Sequence, residues 1–246
     1  MKTKAVRMYG KNDLRLEEFD LPEMQDDEIL ATIVSDSICM SSYKAAIQGT
    51  DHKRVPKDID QNPIIIGHEF CGEILKVGKK WEDQFKPGQK FTVQPALNKE
   101  DDPYAAPGYS FRYIGGSATH IIIPNEVMEL GCLLPYEGDA FFYGSLAEPM
   151  STILGAFRAQ YHTTPGSYEH KMGVIDGGNM AILAGVGPMG LGMIDYAIHN
   201  ERRPKLLVVT DINEERLQRA SKIFTAEEAE KYGVKLIYVN TANVED

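Results

Sequence analysis

Short β-type runs separated by turn residues occupy the first half of the chain. Pairs such as Pro87-Gly88 and Gly115-Gly116 interrupt the apolar runs, a pattern typical of strands joined by turns. The segment at residues 98–109 is rich in Asp, Pro and Ala and predicts a surface loop. The predicted strands lie at residues 4–8, 28–34, 72–77, 90–93 and 119–124.

The hydrophobic period changes near residue 146. Apolar residues then recur at helical spacing, which predicts a helix over residues 146–159 that links the two halves of the chain. After it, three apolar strands alternate with helices, an order typical of a parallel α/β sheet. We therefore expect two domains, a β-rich one at residues 1–157 and an α/β one at residues 158–246. The three strands lie at residues 180–184, 205–210 and 235–239.

Composition narrows the classes of function. The chain has 26 basic and 36 acidic residues and a formal net charge of −10, so we expect no nucleic-acid or membrane partner. Residues 1–10 lack the apolar run of a secretory signal, and we expect a cytoplasmic protein. Glycines, Pro188 and Asp195 interrupt the apolar stretch at residues 180–198. This stretch therefore predicts a strand, a turn and a helix, and not a membrane span.

A glycine-rich turn between a predicted strand and a predicted helix marks a nucleotide site. Its residues match the dinucleotide-binding pattern G-x-G-x-x-G. Asp211 closes the next strand, 211 − 190 = 21 residues after the last glycine, a spacing that suits binding of the adenosine ribose hydroxyls and favours NAD(H) over NADP(H). A turn without ligand and an S-adenosylmethionine loop are the alternatives. The turn consists of Gly185, Val186, Gly187, Pro188, Met189 and Gly190.

Three cysteines limit the metal chemistry. Cys39, Cys71 and Cys132 form no Cys-x-x-Cys pair, so neither a disulfide framework nor a four-cysteine zinc site is predicted. Any metal must therefore recruit histidine or carboxylate ligands. We expect Cys71 and Cys132 to be buried packing residues.

One cysteine, one histidine and two carboxylates stand in an order that suits zinc. His68 and Glu69 follow Gly67 at the start of a predicted strand, and Cys39 precedes His68 by 68 − 39 = 29 residues. Glu148 comes later, in a Leu-Ala-Glu-Pro-Met run. Three or four sulfur, nitrogen and oxygen donors suit a zinc ion. A structural histidine is the alternative for His68.

These motifs occur in the order found in zinc-dependent medium-chain dehydrogenases, and the chain resembles that family over nearly its whole length. It is most similar to the sorbitol dehydrogenase branch, and residues 161–173 resemble a segment of L-sorbose-1-phosphate reductases. The motifs that carry the resemblance are Cys39-x-Ser41, Gly67-His68-Glu69, residues 86–93, residues 115–124, Glu148-Pro149 and the glycine turn at residues 185–190.

The resemblance implies a β-rich, chaperonin-10-like catalytic domain followed by an α/β Rossmann domain, here truncated after about three strands. It also implies one catalytic zinc ion with Cys39 and His68 as ligands. Glu69 and Glu148 are then the third and fourth partners, one direct and one through water. A hydride passes between an alcohol carbon and NAD(H), and we expect the full-length form to be a homo-oligomer.

One further match to the family pattern and two departures from it concern the predicted site. Ser41 matches the position whose hydroxyl passes the substrate proton outward, with Lys44 near the end of that relay. A local turn hydroxyl is the alternative for Ser41. The next residue is Ser42, where relatives often have an acid, so the support of the ligands must differ. Residues 98–115 contain no cysteine, so the structural zinc of many relatives is not expected.

The predicted substrate is a sugar or polyol whose alcohol and ketone interconvert, with L-sorbose 1-phosphate reduction to glucitol 6-phosphate as the specific hypothesis. Two cationic candidates for the phosphate are Arg112 and a basic cluster made of His52, Lys53, Arg54 and Lys57. Arg112 or Arg54 would bind the phosphate, and solvated loop charges are the alternative for each. An unphosphorylated polyol or secondary-alcohol dehydrogenase, a zinc-free quinone or enoyl reductase, and a non-catalytic cofactor-binding fragment are the other readings of the chain.

Overall fold

Antiparallel strands build the first part of the chain. The computed structural model describes residues 1–243, and contacts divide the chain into one unit at Met1–Glu148 and a second at Pro149–Asp246. The elements of the first unit are β1 (Lys2–Gly10), β2 (Asp13–Asp20), β3 (Ile29–Asp36), α1 (Met40–Gln48), β4 (Ile64–Ile65), β5 (Phe70–Val77), β6 (Lys90–Val93), β7 (His120–Ile123), α2 (Asn125–Glu129), β8 (Leu133–Pro135) and α3 (Phe141–Ser145).

Two sheets result, with the orders β2-β1-β4 and β7-β3-β5-β6-β8. Every pairing in them is antiparallel. The five-stranded sheet carries the main core, to which Ile29, Phe70, Phe91 and Ile121 contribute fully or almost fully buried side chains. Burial of apolar surface at about 25 cal/mol per Å² is what stabilises such a core.

All five strands predicted for the first half are present, but β2 was not predicted. Its sequence, Asp-Leu-Arg-Leu-Glu-Glu-Phe-Asp, is mostly charged and its side chains are largely exposed. It is an edge strand held by its hairpin pairing with β1 from Lys2↔Asp20 onward. Because an edge strand needs no continuous apolar face, its sequence carries no strong hydrophobic signal.

The predicted surface loop at residues 98–109 is a loop, but only part of it is at the surface. Residues 105–109 are buried, and Ala106 and Tyr109 belong to a small core with Met8, Ile59 and Ile64. The expectation of a wholly exposed loop is therefore wrong for its second half. Alanine and glycine dominate there, and their small size allows the backbone to pack inward.

The second unit has the predicted β-α-β-α-β order. The sheet is parallel with the order β11-β12-β13. Its core includes Ile194 and Ala197 of α5 and Leu207 and Val209 of β12. The elements from the boundary onward are α4 (Ala147–Ala159), β9 (Tyr161–His162), β10 (Lys171–Met172), β11 (Asn179–Ile182), α5 (Pro188–His199), β12 (Leu206–Asp211), α6 (Glu214–Ile223), α7 (Ala226–Lys231) and β13 (Lys235–Asn240).

The predicted linking helix corresponds to α4. The division after Glu148 falls in the first turn of this helix, whereas the sequence analysis places the domain boundary after residue 157. Residues 244–246, where a truncated domain was expected to stop, lie outside the described residues. Among the described residues, no helix combines the length and apolar character needed to cross a membrane.

The backbone of β5 at Gly72 lies close to the backbone of β3, and a substitution at Gly72 can test this pairing. An added Cβ at Gly72 would lie 2.0 Å from the carbonyl oxygen of Thr32 in β3. We expect Gly72→Ala to destabilise the protein by about 2 kcal/mol or more, because the added methyl group would force the backbone of β3 away from β5. Urea denaturation measures the change.

Gly10→Ala is the matched control, since nothing lies within 4 Å of a Cβ added at Gly10 in β1. Its effect should stay within about 0.5 kcal/mol of the wild type. Equal stability of the two variants would contradict the close strand approach.

Candidate functional site

Strand pairing brings Cys39 to His68 and Glu69. The pairing of β3 with β5 reaches Asp36↔Phe70, and Ser37 N donates to Glu69 O at 2.8 Å just beyond it. Cys39 follows directly, in extended conformation at the N-cap of α1. The ligand atoms of Cys39, His68 and Glu69 all lie within 4.8 Å of one another. We call these three residues the donor cluster.

Two serines orient the donor cluster. Ser42 Oγ lies 3.2 Å from His68 Nδ1, which leaves Nε2 of the ring directed toward Glu69 Oε1 at 3.7 Å. Ser41 Oγ donates to Cys39 Sγ at 3.0 Å. Ser42, at which the chain departs from the family pattern, therefore holds the histidine through its hydroxyl, and support of this kind fixes ligand orientation.

Burial sets the protonation of the site. His68 and Glu69 are only 5% and 6% exposed. Burial, assisted by the charge of Arg54, lowers the pKa of His68 to about 4, so its imidazole is in the neutral form that binds metal. Burial raises the pKa of Glu148, and the nearby Glu69 carboxylate raises it further. Burial also raises the pKa of the Cys39 thiol.

The donor cluster fits a zinc ion. The carboxylates of Glu69 and Glu148 and the thiol of Cys39 meet in a buried space, where their ionised forms repel one another and lose hydration. A divalent cation relieves that repulsion, and one sulfur, one nitrogen and carboxylate oxygens form a suitable zinc ligand set. Glu148 is the fourth predicted residue, and its side chain is within hydrogen-bonding and electrostatic range of Glu69. All four predicted residues thus lie together in the first unit.

A cavity of about 170 Å³ opens beside the donor cluster. We call it the metal cavity. Five of its residues carry polar or charged side chains, and Pro95, Ala96 and Tyr109 complete the wall. The polar and charged lining residues are Ser41, His52, Arg54, His68 and Glu148.

Tyr109 and His52 are the main site residues that the sequence analysis missed. The Tyr109 hydroxyl lies 2.7 Å from Ser41 Oγ and 3.3 Å from His68 Nε2. The His52 ring stacks on Tyr109 with centroids 5.8 Å apart. Tyr109 lies in the segment interpreted as a surface loop, so no local pattern marked it. His52 was noted only as part of a basic run.

The two arginines predicted for phosphate lie in different places. Arg54 lines the metal cavity, and its guanidinium carbon is 5.5 Å from the centre of the Tyr109 ring. Arg112 is exposed and lines another cavity, together with Glu28 and Tyr113, that shares no residue with the metal cavity. Lys44, predicted near the end of the relay, is also exposed.

Asp36 is a further buried carboxyl near the donor cluster. Its Oδ2 accepts from Ser117 Oγ at 3.0 Å, while its Oδ1 is buried and has no hydrogen-bond partner among the described residues. Burial raises the pKa of Asp36 to about 7, with a smaller contribution from the charge of Glu69, against the effect of the Ser117 hydrogen bond. A lone Asp at a strand end gave no signal in the sequence.

The glycine turn of the second unit has the expected local structure. It follows β11, and α5 begins at Pro188 with Gly187 as its N-cap. A Cβ added at Gly190 would lie 2.2 Å from Gly185 O, whereas nothing lies within 4 Å of one added at Gly187. The helix start is therefore packed closely against the turn at Gly190 and open at Gly187, as backbone approach to a pyrophosphate requires.

Asp211 lies beside this turn. It is the last residue of β12, and its Oδ1 accepts from the backbone amides of Ile212 and Asn213 at 2.9 and 3.0 Å. Gly185 N donates to the carbonyl of the preceding residue, Thr210, at 2.9 Å. The turn and the carboxylate are thus held at the same end of neighbouring parallel strands.

Comparison with known proteins agrees with this geometry. Residues 25–131 match the alcohol dehydrogenase GroES-like domain family. The chain is 58% identical over 225 residues to L-sorbose 1-phosphate reductase of Klebsiella pneumoniae, covering 92% of this chain and 55% of the relative. It is 50% identical over 244 residues to mannitol-1-phosphate 5-dehydrogenase of Aliivibrio fischeri (strain ATCC 700601 / ES114), covering 99% and 57%.

A solved structure confirms the fold. The 2R,3R-butanediol dehydrogenase of Bacillus subtilis superposes with a TM-score of 0.73 at 22% identity, covering 99% of this chain and 65% of that chain. The resemblance to the zinc-dependent medium-chain dehydrogenases that the motifs carry is therefore confirmed, with residues 25–131 matching the GroES-like domain of that family. It spans 55% and 57% of the length of the two curated relatives named above.

Metal content tests the donor cluster directly. We expect the wild-type chain to retain about one zinc ion after dialysis and Cys39→Ala to retain almost none, because the variant loses its thiolate ligand. Mass spectrometry of the dialysed protein measures this. Added zinc should raise the melting temperature of the wild type and leave that of Cys39→Ala unchanged.

Cys132→Ala is the control. Cys132 is a buried thiol of the first unit that contacts the backbone carbonyl of Leu130, so its loss should leave the zinc content unchanged. Zinc retention by Cys39→Ala, or zinc loss in Cys132→Ala, would show that the donor cluster does not hold the ion.

Proposed function

We propose that this chain forms the metal-binding and nucleotide-binding part of an NAD(H)-linked oxidoreductase that interconverts a phosphorylated sugar ketone and its alcohol. L-sorbose 1-phosphate and glucitol 6-phosphate are the proposed pair. The observation that carries the proposal is the donor cluster of Cys39, His68 and Glu69 opening onto a cavity lined by Ser41 and Arg54. The printed names of the relatives, a sugar-phosphate reductase and a polyol-phosphate dehydrogenase, support the substrate class.

Cys39, His68 and Glu69 hold the single zinc ion in this proposal, and Glu148 is the fourth partner, through water. We assign Glu69 the direct position because its carboxylate lies with the other two donors inside 4.8 Å. When bound, the ion polarises the carbonyl or stabilises the alkoxide as a Lewis acid. The first unit would then position the substrate oxygen beside the donor cluster.

Ser41 and Tyr109 supply the proton path. The Ser41 hydroxyl lies between the Cys39 sulfur and the Tyr109 hydroxyl, at 3.0 and 2.7 Å. Its single proton, donated to Cys39 Sγ in this structure, would turn to the substrate oxygen while Ser41 Oγ accepts from the Tyr109 hydroxyl. Because Tyr109 is the hydroxyl that contacts Ser41 and Lys44 is exposed, we assign the next step of the relay to Tyr109 and not to Lys44.

The glycine turn from Gly185 to Gly190 binds the pyrophosphate of NAD(H) in this proposal, and Asp211 binds the adenosine ribose. Its carboxylate accepts hydrogen bonds from the ribose hydroxyls and repels a 2′-phosphate. The cofactor supplies the hydride, and the protein supplies its placement. We further place the enzyme in the cytoplasm as a homo-oligomer acting on a small molecule, without nucleic-acid or membrane partners.

Two other functions are outcomes of the same experiments. Faster turnover of free sorbitol than of glucitol 6-phosphate would make the protein an unphosphorylated polyol dehydrogenase with the same zinc chemistry. Zinc and NADH binding without turnover by the 246-residue chain would identify this chain as a cofactor-binding fragment, a result compatible with its coverage of 55% of the reductase.

Removal of the Ser41 hydroxyl tests the catalytic assignment. With L-sorbose 1-phosphate and NADH, and with protein expressed from the natural coding sequence, we expect Ser41→Ala to lower kcat about 100-fold. Zinc content should not change, since Ser41 supports Cys39 but is not itself a ligand. Wild-type kcat in the variant would exclude Ser41 from the proton path.

Asp211 sets the cofactor preference in this proposal. We expect Asp211→Ser to lower the ratio of kcat/KM for NADH to that for NADPH at least about 10-fold, through loss of the ribose hydrogen bonds and of the repulsion of phosphate. Asp195→Ser, which changes an exposed carboxylate of α5 paired with His199, is the control with an unchanged ratio. An unchanged ratio in both variants would reject the assignment.

A further inference from the structure

A second cavity adjoins the metal cavity in the first unit. It has a volume of about 240 Å³, and Arg54 is a wall residue of both cavities. Tyr109 lines the metal cavity and the next residue, Ser110, lines the second one. We call the second cavity the cationic cavity. Its charged and polar lining residues are Lys53, Arg54, Lys99, Asp102, Tyr104 and Ser110.

The charge of the cationic cavity is opposite to that of the whole chain. Among the lining residues, Lys53, Arg54 and Lys99 carry three positive charges and Asp102 carries one carboxylate, whereas the chain carries a net charge of −10. The carboxylates of Asp101 and Glu126 lie near Lys99 but do not line the cavity. Asp102 Oδ1 accepts from the backbone amide of Tyr104 at 3.1 Å. A local excess of positive charge in an acidic protein favours an anionic ligand at that place.

Within residues 1–243, which the structure describes, neither Lys53 nor Lys99 has a short ion pair. Lys53 Nζ lies 4.4 Å from the centre of the Tyr104 ring. Lys99 Nζ is 3.8 Å from Asp101 and 3.9 Å from Glu126, beyond the 2.7–2.9 Å typical of a charge-assisted hydrogen bond. Lys99 is half-buried, so its ammonium group can donate to a ligand in the cavity while its stem stays packed.

Arg54 connects the two cavities electrostatically. Arg54 lines both cavities, and its guanidinium carbon lies 5.5 Å from the centre of the Tyr109 ring in the wall of the metal cavity. The positive charge is thus felt at the metal cavity while the residue also borders the cationic cavity. Arg54 can therefore contact an anionic group close to the reacting carbon of a substrate in either cavity.

We propose that Lys53 and Lys99, together with Arg54, bind the phosphate group of a phosphorylated sugar or polyol and select it over the unphosphorylated compound. The inference rests on the proposed function, because it assigns one end of the same substrate. A phosphate monoester is a dianion with three acceptor oxygens, which suits two ammonium groups and a guanidinium fork. Arg112 does not line the cationic cavity; it lines a neighbouring one that shares Ser110 and Phe111 with it.

Steady-state kinetics with protein expressed from the natural coding sequence tests the inference. The variants are Lys53→Met, Lys99→Met and the double variant, which remove charge but keep side-chain length. With L-sorbose 1-phosphate we expect KM to rise about 10-fold in each single variant and more in the double variant, with little change in kcat, since each loses one charge-assisted contact. With unphosphorylated L-sorbose, KM and kcat should stay at the wild-type values.

Lys57→Met is the matched control. Lys57 belongs to the same basic segment, but its ammonium donates to the backbone carbonyl of Thr50 and it lines neither cavity. Its KM for L-sorbose 1-phosphate should equal that of the wild type. A wild-type KM in the double variant, or the same rise in KM in Lys57→Met, would overturn the proposal.

A second measurement separates this inference from the proposed function. Inorganic phosphate should raise the melting temperature of the wild type above that found in chloride at matched ionic strength, and the double variant should lose this shift. If no sugar, phosphorylated or free, is turned over, the proposed function fails and this shift alone decides the phosphate site. Equal shifts in both proteins, or none in the wild type, would reject the site even if turnover is found.

Discussion

The antiparallel pairing of β3 with β5 is the constraint on which the rest of the first unit depends. It runs from Ile29↔Val77 to Asp36↔Phe70 and continues with the hydrogen bond from Ser37 N to Glu69 O. Because adjacent strands are only about 4.8 Å apart, the loops that leave the ends of this pair must meet. Cys39 follows the end of β3, and His68 and Glu69 precede the start of β5 at the same end of the pair, so the donor cluster is a direct product of strand register.

The donor cluster combines groups that would otherwise be costly to bury together. Glu69 is buried and Glu148 is half-buried beside it, and an unpaired buried carboxylate is destabilising unless it is neutralised or paired. Ser41, Ser42 and Tyr109 provide neutral hydrogen-bonding partners that orient the donors without adding charge. The positive charge comes from Arg54 and, in the proposal, from the ion.

Charge is distributed unevenly around this site. The chain is acidic as a whole. The segment after α1 nevertheless brings Lys53 and Arg54, and the loop between β6 and β7 brings Lys99, to one cavity. Such an arrangement concentrates an anionic substrate locally while the remaining surface repels anions. In the proposal, the catalytic groups and the phosphate-binding groups therefore lie in neighbouring cavities of the same unit, with Arg54 in the wall of both.

Features that depend on neighbouring residues were predictable from the sequence. The five strands of the first half, the helix at residues 146–159, the β-α-β-α-β order and the glycine turn with Asp211 all rest on periodicity or fixed spacing. The same reasoning, with the family resemblance, named Cys39, His68, Glu69 and Glu148, which lie together in the structure. Hydrophobic periodicity and turn residues are local properties, so they can be recognised from short stretches of sequence.

Contacts between distant segments were decided only by the tertiary structure. The charged edge strand β2 exists because β1 pairs with it, and Tyr109 reaches Ser41 because residues 105–109 pack inward. Neither Arg54 nor Arg112 could be preferred from the sequence, since both are single cations in polar segments, but only Arg54 borders the metal cavity. The physical reason is that the fold brings together residues tens of positions apart, and their proximity depends on register and packing that no single segment encodes.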